Sequence, residues 1–146
     1  MKRALLIPFA LLLSGFAGSS DYHLELCGGY ILSRSSAHQV IVVPYGGWSK
    51  ETPIIEEKVV EIAWDSRYIL AKRDHLTPDQ EKKTYMIPSG NCSYWILDTK
   101  TPSVVGPLTQ KELEENTEKL GISELIESLK APRPLFEKLL KNSLRD

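Results

Sequence analysis

Histidines and glycine motifs are the features of this sequence that could mark a metal site, a nucleophile or a phosphate-binding loop. The histidines are far apart, and no pair has the His-x-x-x-His spacing of a zinc site. No Gly-x-Ser-x-Gly motif is present, and the two Gly-Gly pairs do not form a phosphate-binding loop. We therefore predict no catalytic residue, no metal site and no bound cofactor. The histidines are His23, His38 and His75.

Carboxylates offer one alternative in which the protein is a small secreted hydrolase. Asp65 and Asp98 each follow a strand-like segment, where turn formation is sufficient to explain an aspartate. A hydrolase would instead need a polar cleft in which His38 approaches Asp65 or Asp98. His75 lies in a charged segment and is expected to be solvated.

The two cysteines, Cys27 and Cys92, leave two alternatives open. An exported chain meets an oxidising environment, so they could form one disulfide across 64 intervening residues. Such a bond would stabilise the fold by ~4 kcal/mol in the chain-entropy description. They could equally be two separate buried thiols, because a sequence does not show whether two cysteines meet.

Trp48 and Tyr45 form the candidate binding surface. Both lie in the glycine-rich segment Tyr45-Gly46-Gly47-Trp48. Packing in the core explains a large aromatic ring less readily in such a loop than in a strand. Aromatic side chains provide much of the free energy of protein interfaces. The alternative is that Trp48 folds back and covers the sheet.

Residues 1–19 have the order of a bacterial secretory signal peptide. A basic start, Lys2-Arg3, precedes an apolar run from Ala4 to Leu13, and small residues follow. The uncharged stretch is shorter than the about 20 apolar residues of a stable membrane span. We predict export to the cell envelope or the medium, with residues 20–146 as a single small domain. The protein would contact a membrane only if the N-terminal segment is not cleaved.

The end of this segment resembles a lipobox without its lipid-bearing residue. Leu13-Ser14-Gly15 matches the first three positions, but Phe16 stands where the motif requires a cysteine. Phenylalanine has no thiol, so a lipid anchor at this position is doubtful. Ordinary signal-peptide composition is the alternative explanation of the match.

Composition is that of a globular domain and shows no bias toward polyanions. Hydrophobic residues make up 42% of the 146 residues and charged residues 25%, and the net charge is −1. These values argue against a disordered chain and against nucleic-acid binding. We expect a monomer.

The chain reads as strands first and helices last. Strand-like segments lie at residues 22–34, which suggest a hairpin, and at residues 39–43, 58–64, 68–71, 84–87, 93–98 and 103–105. Residues 46–56 and 74–83 read as loops. Thr109 and Glu112 form a capping box for a helix that ends at Gly121, and further helices are expected from Ser123 and from Pro134. The sequence thus predicts an α+β fold, an antiparallel β-meander of about six strands with C-terminal helices packed on it.

A family resemblance rests mainly on four segments that lie between Val59 and Leu113. They are Glu-Ile-Ala-Trp-Asp at residues 61–65, Tyr-Ile-Leu-Ala-Lys at 68–72, Tyr-Trp-Ile-Leu-Asp at 94–98 and Gly-Pro-Leu-Thr at 106–109. With Asp21-Tyr22 and Ser36-Ala37-His38-Gln39, the chain resembles a family of small uncharacterised bacterial lipoproteins of the Gram-positive type over most of residues 10–125. The resemblance implies export and, in relatives, a lipid anchor. It supplies no activity and no catalytic residues.

These observations favour a non-enzymatic binding module whose partner is an unknown protein or an envelope component. An inhibitor or immunity-type protein that blocks a partner is one alternative, and the small secreted hydrolase is the other.

Overall fold

A computed structural model describes residues 21–145, in which all the strands come before the helices. The predicted order of elements is confirmed, whereas the signal segment and Phe16 lie outside the described residues. The strands are β1 (Tyr22–Glu25), β2 (Tyr30–Arg34), β3 (Val40–Pro44), β4 (Val59–Trp64), β5 (Tyr68–Pro78), β6 (Met86–Asp98) and β7 (Ser103–Leu108). The helices are α1 (Gln110–Leu120), a 3₁₀ helix (Ser123–Ser128) and α2 (Pro132–Arg145).

The strands form two antiparallel sheets, so the prediction of a single meander of about six strands is wrong. Sheet 1 has the order β1-β2-β3, and sheet 2 has the order β4-β5-β6-β7. The division falls at residues 45–58, a connection too long for a tight hairpin turn. Within this connection Ile55 pairs with Val42 of β3 through backbone hydrogen bonds of 2.9 and 3.0 Å, and Lys58 pairs with Asp74 of β5 through backbone hydrogen bonds of 3.1 and 2.8 Å.

Sheet 2 is covered on both faces, which makes a three-layer arrangement. Sheet 1 packs on one face, and the buried cluster between the two sheets includes Leu32, Val42, Ile69 and Leu97. The 3₁₀ helix and α1 pack on the other face around a second buried cluster. Helix α2 adds Leu135 and Phe136 to the edge of the first cluster, where Phe136 stacks on Tyr22 with ring centroids 4.6 Å apart. The second cluster contains Ala63, Leu70, Ile96, Leu108, Leu113 and Ile122.

Local sequence signals account for the start and end of α1. The Thr109 hydroxyl accepts the Glu112 backbone N–H at 3.2 Å, and the Glu112 carboxylate accepts the Thr109 N–H at 3.1 Å. Gly121 ends the helix in the left-handed conformation, with φ of 73°. The capping box and the glycine stop are therefore confirmed, whereas α2 begins at Pro132, two residues before the expected Pro134.

The long strands β5 and β6 depart most from expectation. The prediction of a loop over residues 74–83 is wrong for its first half, because β5 continues to Pro78 and pairs there with Met86. We call residues 75–78 of β5 and 86–92 of β6 the outer ribbon. Its strands pair with each other, while the registered pairing with β4 ends at Arg73 and that with β7 ends at Tyr94. Without a covering layer these residues need not alternate between apolar and polar, which hid the strand in the sequence.

No helix within residues 21–145 is long and apolar enough to cross a membrane.

Candidate binding groove

A groove opens on the face of sheet 2 where sheet 1 stops covering it. The strands of sheet 1 have four or five residues, whereas β5 has 11 and β6 has 13. Arg73 and Trp95 share a face with the buried Ala71 and Leu97, because alternate strand residues point the same way. With Val104 of β7 they face residues 50–54 and 56 across a cavity of about 340 Å³. We call this cavity the Trp95 groove.

The loop wall of the groove is fastened to sheet 1. The Tyr30 hydroxyl donates to the Pro53 carbonyl at 2.9 Å, and Ile55 is fully buried beside Val42. Within the loop the Thr52 hydroxyl accepts the Ser49 backbone N–H at 3.1 Å. These contacts fix the wall before any ligand arrives, which reduces the entropy lost on binding.

Trp95 lies between a glycine and an arginine. A Cβ atom on Gly106 would lie 2.3 Å from both Cδ2 and Cε3 of the indole, so only glycine fits beside this ring. The guanidinium carbon of Arg73 lies 5.5 Å from the ring centroid, within the range of a cation–π interaction. The ring position is therefore set by its neighbours on β5 and β7.

The Trp95 indole N–H is the first member of a short chain of polar contacts that continues through Ser93 to His75. It donates to the Ser93 hydroxyl oxygen at 3.0 Å, and this oxygen lies 2.7 Å from His75 Nε2. Ser93 is only 7% exposed. The indole N–H can only donate, so the Ser93 oxygen accepts it, and the tautomer of His75 decides which group donates in the contact between Ser93 and His75. His75 therefore belongs to β5 and contacts Ser93, and its expected place in a loop is wrong.

Arg73 brings a positive charge to the groove. Its Nε–H donates to the Glu57 carbonyl at 2.5 Å, and its Nη2 lies 3.5 Å from the Glu56 carboxylate. The Arg73 side chain is 15% exposed and that of Glu56 is 63% exposed. Lys50 and Glu51 add one charge of each sign to the opposite wall. The groove can thus bind a ligand that combines a charged group with an apolar part.

Trp48 and Tyr45, the candidate binding residues from the sequence, lie outside the lining of this groove. Trp48 is 51% exposed and Tyr45 is 73% exposed. Tyr45 makes an edge contact with His23, with ring centroids 6.4 Å apart. They belong to the same long connection as the groove wall but to its first half.

The turn interpretation of Asp65 and Asp98 agrees with their contacts. Asp65 Oδ1 accepts the backbone N–H groups of Arg67 and Tyr68 at 2.8 and 2.7 Å. Asp98 binds the Arg67 side chain and residues of its own turn. His38 Nδ1 is buried without a hydrogen-bond partner among the described residues.

The two cysteines have free thiols. Cys27 is half-buried, and its Sγ lies 3.9 Å from the Tyr68 carbonyl oxygen. Burial raises the pKa of the Cys27 thiol, and a hydrogen bond with Thr99 acts in the opposite direction. Cys92 is exposed on β6. Within residues 21–145, no group of three or more His, Cys, Asp or Glu side chains could hold a metal ion.

The sequence analysis singled out neither Arg73 nor Trp95 as a functional residue. The available signal was alternation, since Arg73 continues the Ile69-Ala71 face of β5 and Trp95 continues the Leu97 face of β6. An arginine on the buried face of a strand marks the point at which the covering layer ends.

Comparison with known proteins gives one match. A family model described as a protein of unknown function, DUF3997, matches residues 27–131. These residues include both walls of the groove. No curated protein matches, and no solved structure matches.

Proposed function

The chain belongs to the DUF3997 family of proteins of unknown function, and from this premise we propose that it is a non-enzymatic binding module. The observation that carries the proposal is the Trp95 groove. Its volume of about 340 Å³ falls within the range of sites for small molecules or short chain segments. It combines an aromatic ring, apolar side chains and fixed charges, and the proposal assigns no catalytic residue to it.

The ligand that we propose is part of an envelope component or of a protein partner. The exposed positions of Trp48 and Tyr45 support a second contact area for a partner larger than the groove. The proposal involves a monomer and no nucleic acid, in keeping with the net charge of −1.

The three tryptophans allow a direct test by NMR, because each indole N–H gives its own resonance. The protein recovered after expression of the full chain would be titrated with soluble envelope fragments and short peptides. We expect a ligand to shift the Trp95 resonance, while Trp64, which packs against the core between the sheets, stays unchanged. A shift of Trp48 alone would move the site to the first half of the connection, and no shift of any indole would contradict the proposal.

We also propose that the protein is exported to the cell envelope or the medium of a bacterium and that residues 1–19 are its signal peptide. The basic start and the apolar run from Ala4 to Leu13 support this location. Relatives with a cysteine at the position of Phe16 would be lipoproteins, whereas this chain would be released. The inhibitor or immunity-type alternative predicts that one protein copurifies in a fixed ratio and covers the groove.

A hydrolase is the second candidate, and the contact between Ser93 and His75 is the observation that favours it. A hydroxyl oxygen 2.7 Å from an imidazole nitrogen has the geometry of a nucleophile and its base. Against this role, Ser93 is 7% exposed and its oxygen already accepts the Trp95 N–H. Treatment with a fluorophosphonate, followed by mass spectrometry, separates the two functions. A covalent adduct on Ser93 would favour the hydrolase, and an unmodified protein is expected for a binding module.

A further inference from the structure

Arg73 is held in a way that leaves one end of its guanidinium group available to a ligand. Nε donates to the Glu57 carbonyl, and the guanidinium carbon lies over the Trp95 ring, 5.5 Å from its centroid. Neither contact uses the N–H groups of the two terminal nitrogens. The two terminal nitrogens point away from Nε and present the paired N–H groups that bind a carboxylate with two hydrogen bonds.

Glu56 occupies this end only weakly. Its Oε2 lies 3.5 Å from Nη2, beyond the about 2.7–2.9 Å of a strong charge-assisted hydrogen bond. The Glu56 side chain is 63% exposed, so it can turn into solvent at little cost. Glu56 therefore resembles an internal substitute for an external carboxylate.

We propose that the Trp95 groove binds its ligand through a carboxylate group, and that this group takes the place of Glu56 on Arg73. The inference rests on the proposed binding function and names the chemistry of its ligand. Ile54 and Val104 would contact an apolar part of the ligand next to the carboxylate. Lys50, on the opposite wall, adds a second positive charge.

The shape of the site favours a carboxylate over inorganic phosphate. The group that the ligand replaces, Glu56, is itself a carboxylate, and phosphate has no apolar part for Ile54 and Val104 to contact. Glu51, whose Oε2 accepts the Ser49 hydroxyl at 3.0 Å, is the second carboxylate that lines the cavity. Phosphate is therefore a discriminating probe.

The test compares four probes on the isotope-labelled protein recovered from the full chain. They are N-acetyl-Ala-Ala with a free carboxylate, the same peptide with a C-terminal amide, glucuronate as a sugar acid, and inorganic phosphate. The resonances followed are Arg73 Nε–H and Trp95 Nε1–H. We expect the peptide carboxylate or glucuronate, whichever is the better source, to bind at least tenfold more tightly than the amide and than phosphate.

Two variants with the same change of charge separate exchange from general attraction. Glu56→Gln should tighten carboxylate binding about tenfold, because it removes the competing group from Arg73. Glu51→Gln removes a charge from the same cavity without freeing Arg73 and should change affinity by less than threefold. Both side chains are on a loop, and Glu56 is mostly exposed, so both variants are expected to fold.

The outcomes distinguish the inference from the function on which it rests. If the amide binds in the groove as tightly as the carboxylate, or if the two variants have equal effects, the carboxylate exchange is wrong and the binding function stands. If none of the probes and no envelope fragment shifts the Trp95 resonance, both are wrong. Stronger binding of phosphate would overturn the choice of carboxylate.

Discussion

Arg67 donates two parallel hydrogen bonds to Asp98, from Nε to Oδ1 at 2.9 Å and from Nη2 to Oδ2 at 2.8 Å. Asp98 also accepts the Thr101 hydroxyl at 2.7 Å and the Lys100 backbone N–H at 3.0 Å. One carboxylate thereby joins the β4–β5 turn to the β6–β7 turn. The Arg67 guanidinium is the main reason that the pKa of Asp98 lies far below its usual value, and the hydrogen bonds within its own turn lower it further.

The low pKa of Asp98 predicts a loss of stability in acid. The ionised form is favoured in the folded protein, so its contribution is fully present above the unfolded pKa of about 3.9. It is lost as the pH falls from there toward the lower folded pKa. We expect the difference in unfolding free energy between the wild type and Asp98→Asn to be constant near pH 7 and to shrink below about pH 4, as measured by urea unfolding.

Asp79→Asn is the matched control for loss of one carboxylate. Asp79 is half-buried beyond the end of β5, and its Oδ1 accepts the Glu81 backbone N–H at 2.9 Å. If its difference from the wild type narrows in acid as much as that of Asp98→Asn, the contact with Arg67 is not the cause.

Gly28 is expected to be the less replaceable member of the Gly28-Gly29 turn. Both have positive φ, of 61° and 80°, so alanine at either position is strained by about 1 kcal/mol. At Gly28 a Cβ would also lie 2.4 Å from Thr99 Cβ, and Thr99 is held by its hydroxyl bond to the Arg67 carbonyl at 2.6 Å. Chemical denaturation should therefore find Gly28→Ala less stable than Gly29→Ala by about 1–3 kcal/mol. Equal losses would contradict the close contact with Thr99.

Gly106→Ala should damage the groove through Trp95. The added methyl group would overlap the indole, so the ring must move, and we expect a stability loss of about 1–3 kcal/mol. The Trp95 indole resonance should shift in the free protein, and ligand binding should weaken. Gly46→Ala is the control, because no atom lies within 4 Å of a Cβ there and φ is not positive. An unchanged Trp95 resonance in Gly106→Ala would contradict the packing.

Phe16→Cys tests the origin of the N-terminal segment. We expect the wild type to be recovered outside the membrane with an N-terminus near residue 18 or 20. The cysteine variant should become membrane-bound, with the added mass of a lipid, because it restores the thiol of a lipobox. Fractionation and intact mass provide the measurement, with Phe16→Ser as the control without a thiol. Wild-type protein that stays in the membrane with Met1 intact would contradict cleavage.

Much of the fold follows from local signals, and the division into two sheets does not. The capping box at Thr109 and the glycine stop at Gly121 each depend on residues within one or two turns of helix α1. Both can therefore be predicted from the local sequence. Which strands share a sheet depends on pairing across the chain. β3 and β4 are consecutive strands that belong to different sheets, and no local pattern predicts this break in the meander.

The groove was harder to predict because it depends on where sheet 1 stops covering β5 and β6. Arg73 and Trp95 have ordinary strand positions, and their exposure follows from the end of sheet 1 rather than from their own neighbours in sequence. Trp48 and Tyr45 were predicted as a binding surface because both lie in a glycine-rich segment. The structure leaves these two rings exposed and puts the concave surface one segment further along the chain.

The outer ribbon has a practical consequence for work on the living cell. The side chains of a strand point alternately to the two faces of the sheet. Residues can therefore be added to or removed from both strands of the ribbon at its tip, and Arg73 and Trp95 still point to the same face. The tip, residues 79–85, is mostly polar and exposed, the kind of place where inserted sequence is tolerated. An epitope or a dye-labelling tag inserted there would report where the protein travels while the groove stays open.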